Sequence, residues 1–200
     1  MSPEKSIEKE KQNLFKGIIA ATGIFGFGYY SMGFLVLTVA IVSNNLVLGA
    51  LTYTIFLASS SIIGFIMSRV KINREVLSLG ILGYGIAGIG ALLYAISLFL
   101  MYPYWTFYVF TALIGIGSGF TEVLEPTLIS KISRSVGKGM GWLSASRSAG
   151  LFFANLIMGF LYFIQPGYSY IYAFSVSLLA ALLVITTGRS FDQKIDKTAL

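Results

Sequence analysis

The chain has 200 residues, of which 56% are hydrophobic and 11% are charged, with a formal net charge of +6. A water-soluble domain carries about 25% charged residues, so this composition excludes an ordinary soluble protein and predicts an integral membrane protein. The absence of Cys and His excludes disulfides, metal or haem sites made by these ligands, and Ser-His or Cys-His catalysis. We therefore expect no enzyme, no metal and no cofactor.

Two polar tails enclose a long apolar region. Residues 1–14 form the first tail, which lacks the basic start and short apolar core of a cleavable signal peptide. Residues 189–200 form the second. Between them lie six apolar runs, each long enough for the roughly 20 residues that cross a bilayer. We place these spans near 15–42, 46–68, 77–100, 104–130, 139–163 and 168–188.

The connections between the spans alternate in charge. Those after spans one, three and five carry no charged residue, whereas those after spans two and four are basic, and both tails also carry Lys or Arg. The basic loop residues are Arg69, Lys71, Arg74, Lys131, Arg134 and Lys138. Because Lys and Arg collect on the cytoplasmic side, we expect both termini in the cytoplasm of a plasma or inner membrane. This orientation also explains the basic charge without a nucleic-acid partner.

Glycine is frequent inside the spans, and the chain has 22 glycines in total. Helices in a bilayer associate by close packing, for which small residues are needed. We therefore expect glycine stripes to face neighbouring helices in a compact all-α bundle. Span three carries a dense set, Gly80, Gly83, Gly85, Gly88 and Gly90.

Three short glycine-containing motifs occur in spans two, four and five. Span two ends in Gly64-Phe-Ile-Met-Ser68-Arg69-Val-Lys71-Ile-Asn-Arg74, span four contains Thr111-Ala-Leu-Ile-Gly115-Ile-Gly117-Ser-Gly119, and span five begins at Gly137-Lys138-Gly139-Met-Gly141. These stretches resemble, in order, the Gly-x-x-x-Asp-Arg-x-Gly-Arg-Arg/Lys loop, the fourth-helix Arg-x-x-x-Gly-x-Gly segment and the start of the fifth helix of the major facilitator superfamily. Ser68 stands where that family has Asp, and Thr111 where it has Arg.

The resemblance covers about 15–188 and implies one six-helix half of a transporter, built from two inverted three-helix repeats. The second half would come from a parallel homodimer partner or from a separate six-helix half, and the sequence leaves both open. The resemblance also implies that Gly64, Arg69, Lys71 and Arg74 form a cytoplasmic gating loop. Span five reads Ala154-Asn155-Leu-Ile-Met158-Gly159 in place of the antiporter Gly-Pro-x-x-Gly-Gly pattern, so no antiporter is implied.

Three charged residues lie inside spans four and five: Glu122, Glu125 and Arg147. A charge in the bilayer core costs at least about 2.5 to 3.5 kcal/mol, so each needs a partner or water. Glu122 and Arg147 lie at equal sequence distances from the basic turn, about 13 Å deep at about 1.5 Å per residue. We expect Arg147 to pair with one Glu and leave the other for a proton, a cation or a substrate amine. The alternatives are a purely structural ion pair and a Glu125 that reaches water.

Other polar side chains at mid-span are candidates for a cavity lining. Tyr29 and Tyr30 lie in the middle of span one, and a hydroxyl at that depth needs a partner. Asn155 in span five is a candidate of the same kind. Thr52, Ser59 and Ser60 in span two complete the set.

Two classes of function are compatible with these features. The first is a secondary transporter that moves a small solute by alternating access, with or without proton coupling. The second is a membrane scaffold or assembly protein, or an inactive truncated transporter half, in which the charges are structural. Besides the lipid bilayer, the partners we expect are the solute and a second six-helix unit. Substrate identity, coupling ion and transport direction stay open at this point.

Overall fold

The structure is a computed structural model that describes residues 3–28, 32–70, 72, 74–133 and 135–198, with the outermost residues at each end described by backbone alone. Within these residues it contains helices and no strand. Six helical stretches are long and apolar enough to cross a membrane. The predicted all-α class and the number of spans are therefore confirmed, and the chain is a multi-pass membrane protein.

The helices follow the predicted spans. In span one the structure describes the residues on either side of Tyr29–Ser31, and span three contains a π-helical segment. The helices are α1 Pro3–Gly28, α2 Met32–Ser43, α3 Leu46–Met67, α4 Glu75–Ser78, the π segment Leu79–Gly85, α5 Ile86–Phe99, α6 Trp105–Ile132, α7 Val136–Ile164 and α8 Pro166–Thr198. Thus α1 and α8 extend into the predicted polar tails.

A tight turn joins α2 to α3 at an end of the bundle that carries no charge. Asn44 has a left-handed backbone with a φ of 52°, which asparagine adopts more readily than most side chains. The side chain of Asn45 then accepts hydrogen bonds from the backbone N–H groups of Val47 and Leu48. This capping supplies partners for the free N–H groups at the start of α3, so the chain reverses within two residues.

Helix packing leaves α3 and α7 at the periphery. α1 packs against α7 and α8, α6 packs against α3 and span three, and span three also packs against α8. The most apolar stretches of α3 and α7 are only 22% and 17% buried, against 50% for that of α6. The bundle therefore has a closed interior around α6, span three and α8, and two helices with wide exposed faces.

Glycines set the closest helix contacts, as predicted. At the crossing of α1 and α7, Gly26 and Gly150 bring the two backbones together, and a Cβ on Gly150 would lie 2.8 Å from the Gly26 Cα atom. On α6, a Cβ at Gly117 would lie 2.7 Å from the Gly83 carbonyl oxygen of span three. Only glycine fits where backbones approach this closely.

Candidate functional site

Glu125 lies at the centre of a buried polar network in the half of the bundle near the basic turns. Its carboxylate has no exposed surface. Arg147 on α7 donates to one carboxylate oxygen, and the Tyr84 hydroxyl donates to the other over 2.7 Å. Thr22 on α1 lies 3.4 Å from the Tyr84 hydroxyl. The network therefore joins four spans: Arg147 neutralises the buried acid, Tyr84 donates a hydrogen bond to it, and Thr22 lies next to Tyr84.

Side-chain direction explains why Arg147 pairs with Glu125 although Glu122 has the matching sequence position. In a helix, the Cα–Cβ bonds tilt toward the N-terminus. α6 and α7 are joined by a short turn and run in opposite directions, so Glu125 leans away from that turn and Arg147 leans toward it. The two side chains therefore meet at a depth between their Cα atoms.

Tyr84 is the network residue that sequence reasoning missed. It is fully buried and lies in the π segment, where Gly83 and Gly85 flank it. π-helical turns are rare and occur frequently at functional sites. A mid-span tyrosine between two glycines was the available signal, but those glycines were interpreted only as packing residues. Thr22 carried no comparable signal.

Glu122 faces a different neighbour from Glu125. Three positions along an α-helix correspond to about 300° of rotation, so the two side chains diverge by about 60°. Glu122 is exposed, and the Ser60 hydroxyl of α3 donates to it over 3.4 Å. Among the described side chains, no Lys or Arg forms an ion pair with Glu122. Arg147 therefore pairs with the buried Glu125, while Glu122 is exposed and lies outside that ion pair.

Glu122 is one of a few exposed small and polar side chains distributed over three helices, which we group under the name polar face. These side chains lie within the spans of α3, α6 and α7, and α6 contacts both other helices. For the serine and threonine hydroxyls of this set, the described part of the protein supplies no hydrogen-bond partner. The polar face consists of Thr54, Ser61, Glu122, Ser144, Ser148 and Asn155.

Span three and α8 also expose mainly large apolar side chains, as α3 and α7 do outside the polar face. Most of them are aliphatic, as with Ile89 on α5 and Leu179 on α8. Where a hydroxyl occurs, it bonds to its own helix: Ser175 donates to the Ile171 carbonyl over 2.9 Å, and Thr186 to the Leu182 carbonyl over 2.9 Å. This side of the bundle suits lipid, because its polar groups are satisfied internally.

A small cleft lies in the middle of the bundle, apart from both acids. About 280 Å³ of space not filled by atoms lies among its lining residues, part of it open to the outside, and the cleft admits about one water molecule. Its lining is mainly apolar and comprises Phe25, Gly28, Met32, Phe56, Ala87, Ile114, Ser118 and Ser177. The cleft is too small for a solute, so the polar face is the better candidate for a binding surface.

The remaining predicted residues have simpler surroundings. Asn155 is exposed on α7. Tyr29, Tyr30 and Lys71 lie outside the described residues. In the predicted gating loop, Gly64 has open space around its Cα atom, Arg74 is exposed, and the Arg69 guanidinium lies 4.3 Å from the centre of the Phe65 ring. A gating role for this loop stays a prediction.

Comparison with protein-family models, with curated proteins and with solved structures gives no match. The likeness to the major facilitator superfamily thus rests on the sequence motifs. The function has to be argued from the geometry of the polar face and of the Glu125 network.

Proposed function

We propose that the chain is one six-helix half of a secondary transporter of the major facilitator type, with the polar face as its solute-binding surface. The observation that carries this proposal is the placement of Glu122. It is an exposed acid within a membrane span, and its one hydrogen bond to another described residue comes from Ser60. An ionisable side chain at that depth requires water or a partner. A surface that lines a solute path provides both.

The neutral members of the polar face support the same proposal. An unsatisfied hydroxyl in hydrocarbon is unfavourable, and a serine in a lipid-facing helix usually bonds to its own backbone, as Ser175 does. Ser61 and Ser148 make no such bond within the described part of the chain, although both are exposed. Their hydroxyls are therefore suited to water or to a polar ligand.

Helix packing supports the inverted-repeat architecture as part of this proposal. Span one packs against spans five and six, and span four packs against spans two and three. Span one thus contacts the last two spans of the second half, and span four contacts the last two spans of the first half. The two halves therefore have equivalent contacts with each other. Such equivalence is expected of two related three-helix units of opposite orientation.

In this proposal, the Glu125 network holds the half together, and the solute path runs elsewhere. The network joins spans one, three, four and five inside one bundle, so it moves as a unit when the bundle rocks. A second six-helix unit, either another copy of this chain or a separate half, would cover the polar face. Both termini would face the cytoplasm, because the basic turns and tails share one end.

Water access to the polar face is testable because the chain contains no Cys. Each introduced cysteine is then the sole thiol. We expect Ser61→Cys and Ser148→Cys to react with a membrane-impermeant maleimide in intact proteoliposomes. We expect Ile89→Cys and Leu179→Cys, on the aliphatic side, to react at least about tenfold more slowly, since thiolates do not form in hydrocarbon. An equally slow reaction of all four thiols would show that water does not reach the polar face.

Transport itself is tested with Glu122→Gln, which removes the charge and keeps the shape. A solute identified by thermal stabilisation of the purified protein would be offered to proteoliposomes. We expect Glu122→Gln to reduce uptake at least about tenfold, the loss that follows from removing one partly desolvated charge contact. Glu75→Gln is the matched control, because it removes an acid whose ion pair with Lys131 lies outside the polar face.

A different outcome of the uptake assay would favour the scaffold function. If Glu122→Gln leaves solute binding and uptake unchanged, the polar face is a protein interface. The closed Glu125 network is compatible with that result as well, because it stabilises the bundle in either case.

A further inference from the structure

We infer that the solute bound at the polar face is an organic cation whose charge lies against the Glu122 carboxylate. This inference rests on the proposed function and specifies its substrate class. It follows from the charge that the structure leaves exposed, from the single hydroxyl that bonds to Glu122 and from the apolar side chains exposed on the same helices.

The first step is the charge of the polar face. The sequence analysis leaves one Glu for a proton, a cation or a substrate amine. The structure assigns Arg147 to the buried Glu125, so that pair contributes no net charge. Glu122 is the charged member of the polar face, whose other members are hydroxyls and an amide. A cation compensates this charge, whereas an anion or a solute carboxylate is repelled.

The second step separates an organic cation from a metal ion. Calcium takes about six to eight oxygen ligands, and magnesium is usually held by one or two carboxylates together with substrate phosphates and waters. Within the described residues, no group of three or more acidic or other metal-binding side chains occurs. Glu122 offers one carboxylate with a single serine beside it. One carboxylate is sufficient for a substituted ammonium or phosphonium group, which needs charge compensation and no ordered ligand shell.

The third step concerns the body of the solute. Large apolar side chains are exposed on the same helices as the polar face, including Leu57 and Phe65 on α3 and Phe152 on α7. Ligand sites commonly combine an apolar lining with a few placed polar groups. Aromatic rings also attract cations through their faces. A carboxylate on helices that also expose aromatic and aliphatic side chains fits a cation that carries aromatic or aliphatic groups.

Tetraphenylphosphonium is a suitable probe, with triphenylphosphine oxide as its uncharged counterpart. Equilibrium binding to the purified full-length protein is measured for both compounds. We expect saturable binding of tetraphenylphosphonium that is at least about tenfold weaker in Glu122→Gln. Glu122→Asp, which keeps the charge, should retain part of the affinity, and Glu75→Gln should bind like the unmodified protein. Because Glu122 is exposed, its variants should fold, which a thermal unfolding measurement checks.

Three results would overturn the inference: equal affinity of Glu122→Gln for the phosphonium, equal affinity of the unmodified protein for both probes, or no saturable binding of the cation by folded protein. The proposed transport function fails separately. Glu122-dependent binding without uptake of the cation would leave the cation site standing and remove transport. Uptake of a neutral or anionic solute, with no phosphonium binding, would support transport and rule out the cation site.

Discussion

Arg147→Met is expected to destabilise the protein by about 3 to 5 kcal/mol, the effect of removing one partner of a buried ion pair. The variant leaves Glu125 with no exposed surface and without its cation. The remaining hydrogen bond from Tyr84 does not neutralise the charge. Thermal unfolding of the purified protein in detergent should show a large decrease in Tm.

Two further variants separate the ion pair from other effects of the mutation. Glu125→Gln should be milder than Arg147→Met, because the Arg147 side chain is 33% exposed and its charge can reach water. The double variant Glu125→Gln with Arg147→Met should recover much of the stability, since no uncompensated charge remains. If the double variant is as unstable as Arg147→Met alone, packing around Arg147 is responsible and the ion pair is not.

Lys131→Met is the control for charge removal as such. Lys131 forms an ion pair with Glu75, but the Lys131 side chain is 56% exposed. Exposed pairs contribute about 0 to 1 kcal/mol. We therefore expect its Tm to stay close to that of the unmodified protein, and a loss as large as that of Arg147→Met would contradict the role given to burial.

Gly150→Ala is expected to destabilise the contact between α1 and α7 by about 1 to 3 kcal/mol, the usual effect of overpacking. The added methyl group would lie 2.8 Å from the Gly26 Cα atom and 2.9 Å from its carbonyl carbon. These are backbone atoms, so they cannot move aside as a side chain would, and the two helices must separate. Gly150→Leu should separate them further, and the measurement is again thermal unfolding.

Gly141→Ala is the matched control on the same helix. Among the described residues, and apart from the chain neighbours and the backbone of its own helix, no heavy atom lies within 4 Å of the position its methyl group would take. Alanine also has the higher helix propensity by about 1 kcal/mol. Its stability should be unchanged or slightly raised. Similar effects at Gly141 and Gly150 would mean that helix propensity, and not the crossing of α1 and α7, determines both.

The two stability predictions bear on function through α7. Arg147 joins this helix to α6 and span three, and Gly150 joins it to α1. Its opposite surface carries Ser148 of the polar face. An α7 fixed on its inner side holds the polar face in a constant position. A solute-binding surface that moves with the whole bundle needs this rigidity.

Composition and charge pattern by themselves determined the class of the protein. Six apolar runs of sufficient length and uncharged connections after spans one, three and five leave few alternatives to a six-helix bundle, because unsatisfied backbone is excluded from lipid. The sequence also predicts that Glu125 and Arg147 need partners, because any charge inside a membrane span needs one whatever its exact position. Close helix packing at the glycines followed from the same argument.

Only the tertiary structure decided which groups meet. The pairing of Arg147 with Glu125 instead of Glu122 depends on the tilt of side chains on antiparallel helices. The entry of Tyr84 into the network depends on the π segment, which periodicity does not reveal. The separation of Glu122 from Arg147, and hence the acidic character of the polar face, depends on a rotation of about 60° about the α6 axis. A sequence gives the spacing of residues along a helix, whereas the neighbours on each side of that helix are set by how all six spans pack.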